Sequence, residues 1–215
     1  MCWTWGGGPG VYAAWLADAG YDVKLVDFLP FHVEHARELA AGRFAAEEGD
    51  ARSLAELDES YDVVLLLGPL YHLVENRERL AALAEARRVL RRRGLVAAAA
   101  ISRFGPLLDT FLRGILDERV WDWSERSLAD GRNVPENTLF TTAYFHLPEE
   151  LEGEIQEAGF QLEGLFGIEG PGWLRMETLD DDESFERATR VARALEQERP
   201  VIGTSAHLLA IARRT

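Results

Sequence analysis

The chain has 215 residues, 47% apolar and 28% charged, with a formal net charge of −14. That is ordinary globular composition with enough chain for one well-buried domain, and the acidic balance repels phosphate backbones, which argues against a nucleic-acid partner. Cys2 is the only cysteine, which excludes an intrachain disulfide and a cysteine metal cluster; the longest apolar runs, Val63–Leu67 and Leu95–Ile101, are too short for a bilayer, so with no secretion-signal layout the expected location is the cytoplasm.

Met1–Trp5 reads as a strand and Gly6–Gly10 as a loop. A helix follows over Val11–Ala19, closed by Gly20. Asp22–Asp27 is a strand. Phe31–Ala41 is a helix with Pro30 at its start and Gly42 past its end. Phe44–Glu48 is a short strand, and Tyr61–Leu67 is a continuous apolar one, as expected when both faces are covered. Arg77–Leu90 is a helix; Arg87, Arg88 and Arg91–Arg93 are expected at its end, where cations meet the negative pole of the dipole. Leu95–Ile101 is another buried strand.

This alternation predicts an α/β fold with a mostly parallel sheet and helices on both faces. Right-handed crossovers put the strand C-terminal ends on one edge, where ligands bind near the switch in strand order. After Arg103 the rhythm breaks. Phe104–Leu116 and Val120–Ala129 read as helices, and Thr138–Phe145 as a strand or extended cover. Residues 104–147 are therefore expected to be a helical lid or substrate insertion after strand five, within one domain over 1–215. Glu149–Ala158 (helix), Phe160–Gly167 (strand), Glu183–Glu198 (helix, with Asp180–Glu183 as cap and first turn) and Ser205–Ala212 (strand) complete the chain.

Four features carry chemistry. The glycines of Gly6–Gly10 permit a tight turn and close approach of a ligand to the backbone. Asp27, at the end of the next strand, can accept both hydroxyls of a ribose. Gly49-Asp50-Ala51 offers Asp50 as acceptor for an adenine amino group, although Gly-Asp is also an ordinary turn. In Leu65–Leu73, Gly68 and Pro69 end the strand and bring Tyr71 and His72 to the edge. Gly8-Pro9-Gly10-Val11-Tyr12-Ala13 by itself also fits a dinucleotide fingerprint, which keeps an NAD(P)-dependent oxidoreductase open as an alternative. The five histidines show no metal-ligand spacing, so no metal is expected; His32 and His35 fall on a surface helix and are expected to be solvated.

Taken together, Gly6–Gly10, Leu25-Val26-Asp27, Glu48–Ala51 and Tyr61–Leu73 resemble the class I S-adenosylmethionine-dependent methyltransferase family. The resemblance implies a Rossmann-like seven-stranded sheet whose last strand is antiparallel. It implies S-adenosylmethionine as cofactor, with S-adenosylhomocysteine as product. By position, Gly6, Gly8 and Gly10 would line the methionine and ribose portion, Asp27 the ribose, Asp50 and Ala51 the adenine, and Leu67 and Gly68 the middle of the cofactor, with Phe28 a further cofactor contact. Thr4 stands where the family usually carries an acidic residue, and the chain starts at a strand that the family usually precedes with a covering segment. Both departures are expected to weaken cofactor binding, and they motivate a catalytically silent binding or scaffold protein as a second alternative.

A small-molecule acceptor is expected, with Tyr12, Tyr71, Arg103, Tyr144 and His146 lining its pocket. Phe104, Trp121 and Trp123 are further lining candidates. His72 and Tyr71 are the catalytic candidates, His72 because imidazole titrates near neutral pH. A monomer or homodimer is expected, with no membrane and no nucleic-acid partner.

Overall fold

A computed structural model describes residues 2–5, 7–178 and 181–215. The strands are β1 (Cys2–Trp5), β2 (Val23–Asp27), β3 (Ala45–Glu48), β4 (Tyr61–Leu66), β5 (Leu90–Ser102), β6 (Phe145–His146), β7 (Phe160–Gly167) and β8 (His207–Arg214). The helices are α1 (Val11–Asp18), α2 (Pro30–Ala40), α3 (Pro69–His72), α4 (Asn76–Val89), α5 (Gly105–Leu112), α6 (Glu118–Asp130), α7 (Pro148–Glu157) and α8 (Asp182–Leu195), with 3₁₀ segments at Gly170–Thr178 and Ile202–Thr204.

Among the described residues the strand order is β3-β2-β1-β4-β5-β8-β7, with β6 beside β5. Pairs β1–β2, β1–β4, β2–β3, β4–β5 and β5–β6 are parallel. The chain steps outward from β1 to β3 and then returns to the other side of β1. That reversal puts the topological switch point between β1 and β4, and the parallel directions gather the C-terminal ends of β1, β2, β3 and β4 at one edge.

Two compact units divide the chain. The first comprises Met1–Ala99, Gly153–Glu163 and Ala210–Thr215. In it α1 packs on β1 and β2, and α2 on β2 and β3. Leu25, Val33, Ala36, Val64 and Leu66 have no solvent exposure; each large apolar side chain so buried contributes about 1.5–3 kcal/mol. A second anchor is polar: the buried Arg79 on α4 donates from Nη2 to Glu154 Oε1 at 2.7 Å and from Nη1 to the carbonyls of Leu73 and Val74 at 3.0 and 2.7 Å. It thereby ties down the segment that follows α3.

The second unit comprises Ala100–Glu152 and Gly164–Leu209. Its helices start where the local chemistry allows. Asp117 caps α6 by accepting the Val120 N–H at 2.8 Å, and Gly131, in the left-handed region at φ 81°, ends it. Asp181 caps α8, accepting the Ser184 N–H at 2.6 Å. The acidic stretch expected to cap this helix therefore does so through Asp181; Asp180 lies outside the described residues.

Several elements depart from the sequence expectation. Arg91–Arg93 belong to β5 and not to the end of a helix, because Leu90 already pairs with Tyr61 and Arg91 donates to Asp62 at 2.7 Å. Residues 138–143 form turns and irregular backbone where a strand or extended cover was expected, Tyr144 makes an isolated antiparallel bridge with Arg132, and Phe145–His146 pair with Ile101 and Ser102. This short strand raises the count among the described residues to eight where seven were expected. Pro69 at the first helical position starts α3 where a loop was expected.

Candidate functional site

The loop after β1 sits at the edge where β1, β2, β3 and β4 end, all within the first unit. Gly6 lies outside the described residues. Gly10, at φ 95°, starts α1 without a side-chain cap, so its helix N–H groups face the loop. A Cβ at Gly10 would stand 3.2 Å from both Ala36 Cβ and Phe44 Cζ. A Cβ at Gly7 would fall 2.8 Å from Leu25 Cδ1 and 3.2 Å from Thr4 Oγ1. A side chain at Gly7 would make Leu25 shift, and one at Gly10 would crowd Ala36 and Phe44 at a φ that L side chains rarely adopt.

Thr4 is 1% exposed, and its Oγ1 has no hydrogen-bond partner among the described residues. A buried hydroxyl left so costs about 1–3 kcal/mol. Asp27 is 5% exposed at the end of β2. Its Oδ2 accepts the Gly8 N–H at 3.0 Å, its Oδ1 accepts the Leu29 N–H at 2.9 Å, and His32 Nδ1 stands 3.1 Å from Oδ1. His32 is therefore a partner of the site's carboxylate, not the solvated surface residue expected from its place on a helix. Two features of the sequence allow this: Pro30 starts α2 close behind Asp27, and His32 falls in its first turn.

Phe28, next to Asp27, is 69% exposed. At the end of β3 the Gly49 N–H donates to the Asp27 carbonyl at 3.0 Å, and Ala51 is buried. The Asp50 carboxylate is engaged by Arg52, which in turn reaches Glu78. Arg52 escaped the sequence reading; the only available signal was a cation two places after a turn carboxylate.

Gly68 and Leu67 lie at the end of β4, and the Tyr71 hydroxyl donates to the Leu67 carbonyl at 3.0 Å. Burial raises the Tyr71 pKa above the usual phenol range, and the nearby charges of Tyr12 and Asp27 add to that rise. Tyr12, Asp27 and Tyr71 thus share one electrostatic neighbourhood. His72 is exposed, its ring 4.7 Å from that of Tyr71.

Arg103, Tyr144 and His146 lie in the second unit and are brought together there. Arg103 Nε donates to the Phe145 carbonyl at 3.0 Å, and its Nη2 donates to the Tyr144 hydroxyl at 3.2 Å and to Glu150 at 2.6 and 2.7 Å. The Tyr144 and His146 rings meet edge-on at 4.7 Å. Glu150, unremarked in the sequence, neutralises the guanidinium expected to meet an acceptor. A cavity of about 320 Å³ in this unit, lined among others by Ile168, Trp173, Phe185 and Ala188, includes none of the expected site residues. No group of three or more His, Cys, Asp or Glu could hold a metal among the described residues, and no helix among them is long and apolar enough to cross a membrane.

A glycine loop at the switch point of a Rossmann-like sheet, with a buried carboxylate on the next strand, is the place where such sheets bind ligands. Residues 4–94 match the family model described as "Methyltransferase domain". No curated protein matches. Among solved structures, an S-adenosylmethionine-dependent methyltransferase from Methanosarcina mazei is similar at 16% identity and TM-score 0.67, covering 99% of this chain and 91% of that one. One from Mesorhizobium loti is similar at 17% and 0.65, covering 100% and 90%. A Thermotoga maritima protein described as a possible histamine N-methyltransferase is similar at 17% and 0.61, covering 100% and 82%. The fold is the S-adenosylmethionine-dependent methyltransferase fold, and S-adenosylmethionine is the cofactor that family and fold imply.

The residues present fit that cofactor at the ribose and methionine end. At Gly8 a Cβ would meet open space, the buried Asp27 carboxylate has three partners among the described residues where it can accept about four, and Thr4 Oγ1 has none among them.

Proposed function

We propose that the chain transfers a methyl group from S-adenosylmethionine to a small-molecule acceptor. The observation that carries this reading is the buried Asp27 carboxylate, 3.0 Å from the Gly8 N–H of the loop. When bound, S-adenosylmethionine supplies a methyl carbon activated by positively charged sulfur. The protein then has mainly to align the acceptor in line and keep water out. Asp27 holds the ribose, Gly8 and Gly10 let the backbone approach the methionine portion, and Leu67, Gly68, Asp50, Ala51 and Phe28 bound the rest.

Tyr71 and His72 divide the acceptor side between them. A phenol whose pKa is raised keeps its proton at neutral pH, so Tyr71 positions and does not act as base. His72, exposed next to it, is the group that takes a proton from an acceptor that must lose one. Tyr12 joins Tyr71 in lining the pocket. Residues 104–147, which include Tyr144 and His146 and follow Arg103, are read as a lid or substrate insertion. The description of the Thermotoga maritima protein supports a small acceptor, and the net charge of −14 supports one that is not a nucleic acid. The protein works in the cytoplasm as a monomer or homodimer.

The same reading takes β8 as the antiparallel last strand of the family's sheet. In support, the Ser102 N–H donates to the Ala206 carbonyl while Arg213 donates to the Arg93 carbonyl, so partners on β5 and β8 advance in opposite directions. Calorimetry decides the matter: S-adenosylhomocysteine should bind and NADH should not, and the reverse result would restore the dehydrogenase alternative. A silent binder would bind S-adenosylhomocysteine yet transfer no labelled methyl group to any of a panel of small amines, phenols and thiols.

A further inference from the structure

Asp50 stands where the resemblance implies a contact to the adenine amino group, and the following inference rests on that cofactor reading. A carboxylate offers about four acceptor positions on its two oxygens. Arg52 fills them. Its backbone N–H donates to Oδ1 at 2.9 Å. Its Nε donates to Oδ1 at 2.9 Å and to Oδ2 at 3.2 Å, and its Nη2 to Oδ2 at 2.5 Å. The guanidinium is also held from behind, with Nη1 donating to Glu78 Oε1 at 2.6 Å. The turn that holds the carboxylate opposite its partner is closed by the Ser53 N–H, which donates to the Asp50 carbonyl at 3.0 Å.

An adenine amino group is a neutral donor. To reach Asp50 it must displace a charged one, and charge-assisted hydrogen bonds are about twice as strong. The Arg52 hydrogen bond also holds the Asp50 carboxyl below its usual range, so the acid remains ionised and paired at neutral pH. We propose that Arg52 sets specificity at the base end of the site: it withdraws Asp50 from base recognition and leaves the protein nearly indifferent to the purine 6-amino group. A site that hydrogen-bonds a ligand group rejects analogues lacking it by large factors; this one has its side-chain acceptor already satisfied.

Both partners are about one third exposed, 38% for Arg52 and 33% for Asp50. Exposed pairs of this kind contribute at most about fivefold to an equilibrium, so replacing Arg52 leaves the fold intact, as circular dichroism would verify. Calorimetry should compare S-adenosylhomocysteine with its 6-deamino analogue, in which purine replaces adenine. For the unaltered protein the two dissociation constants should differ by less than about fivefold. Arg52→Ala should create a preference of about tenfold or more for the amino compound, the range for a hydrogen bond to a charged acceptor. Adding Asp50→Asn should abolish that new preference. A preference above about fivefold in the unaltered protein would overturn the inference, as would an unchanged ratio in Arg52→Ala. If S-adenosylhomocysteine itself failed to bind the unaltered protein, the cofactor reading would fall and take this inference with it, an outcome distinct from lost discrimination.

Discussion

Asp27 and Arg103 are each 5% exposed, yet the two units treat a buried charge differently. Arg103 meets an opposite full charge, Glu150, and a main-chain carbonyl. Nothing in that set can leave without stranding a guanidinium. Asp27 meets two backbone N–H groups and an imidazole. One of those N–H groups belongs to a glycine loop, and a ligand hydroxyl can replace it without leaving the charge bare. The first arrangement fixes structure, whereas the second suits exchange with a ligand.

The sharpest way to break this contrast is Arg103→Ala. It should cost about 2 kcal/mol of stability, through lost donors to Glu150, Phe145 and Tyr144. Urea denaturation would measure that loss, and calorimetry should find the affinity for S-adenosylhomocysteine unchanged. A weakened affinity would mean that Arg103 serves the ligand and that the contrast is false.

Asp27→Ala comes next. Loss of charged acceptors at the ribose should weaken S-adenosylhomocysteine about 100-fold, equivalent to about 2.7 kcal/mol. Unchanged affinity would remove the site assignment altogether.

The two units should also respond at opposite ends of the pH scale. Burial and its neighbours raise the Tyr71 pKa above 10.0. The unfolded chain then loses that proton first, so the stability Tyr71 contributes is present below pH 10 and fades as pH rises through the folded value. For Glu169, burial pushes the pKa up, but His207 and Ser205 outweigh it and the net shift is downward from 4.5. Its contribution is present above that pH and fades as pH falls through the folded value. Urea midpoints should therefore show the unaltered protein losing its margin over Tyr71→Phe above pH 10, and over Glu169→Gln below about pH 4.5. A constant margin in either case would sever the link between the shift and stability.

Much of the first unit was legible because period and position decide it. The apolar run at Tyr61–Leu66, the glycines after β1 and Asp27 ending β2 each follow from local pattern plus the rule that parallel strands share an edge. What pattern could not reveal was partnership. His32 and Arg52 are ordinary polar residues until the turns at Pro30 and Asp50 bring each against a carboxylate. In the second unit even the elements were harder to read. The β-branched and aromatic content of residues 138–145 suggested a strand or extended cover, but residues 138–143 stay irregular, while Tyr144 bridges to Arg132 and Phe145–His146 pair with β5. Strand propensity expresses fit to a pleated surface, and without a neighbouring strand it has nothing to fit.

Thr4 carries the smallest expected effect and the finest test of the exchange idea. Its hydroxyl is buried beside the Gly7 cradle with no partner among the described residues. Valine has nearly the same shape and no polar atom. If the hydroxyl serves no ligand, Thr4→Val should raise the stability of the free protein by about 1 kcal/mol and leave affinity alone. If the hydroxyl is kept for the cofactor, the same gain should come with S-adenosylhomocysteine binding weakened about fivefold, the size of one neutral hydrogen bond. The second pattern is expected, because Thr4 in β1 stands where the resemblance implies a carboxylate, and a buried hydroxyl with no partner among the described residues costs stability until a ligand satisfies it. Melting temperature and calorimetry on the one variant read both quantities, and a stabilised protein with undiminished affinity would assign Thr4 to the sheet alone.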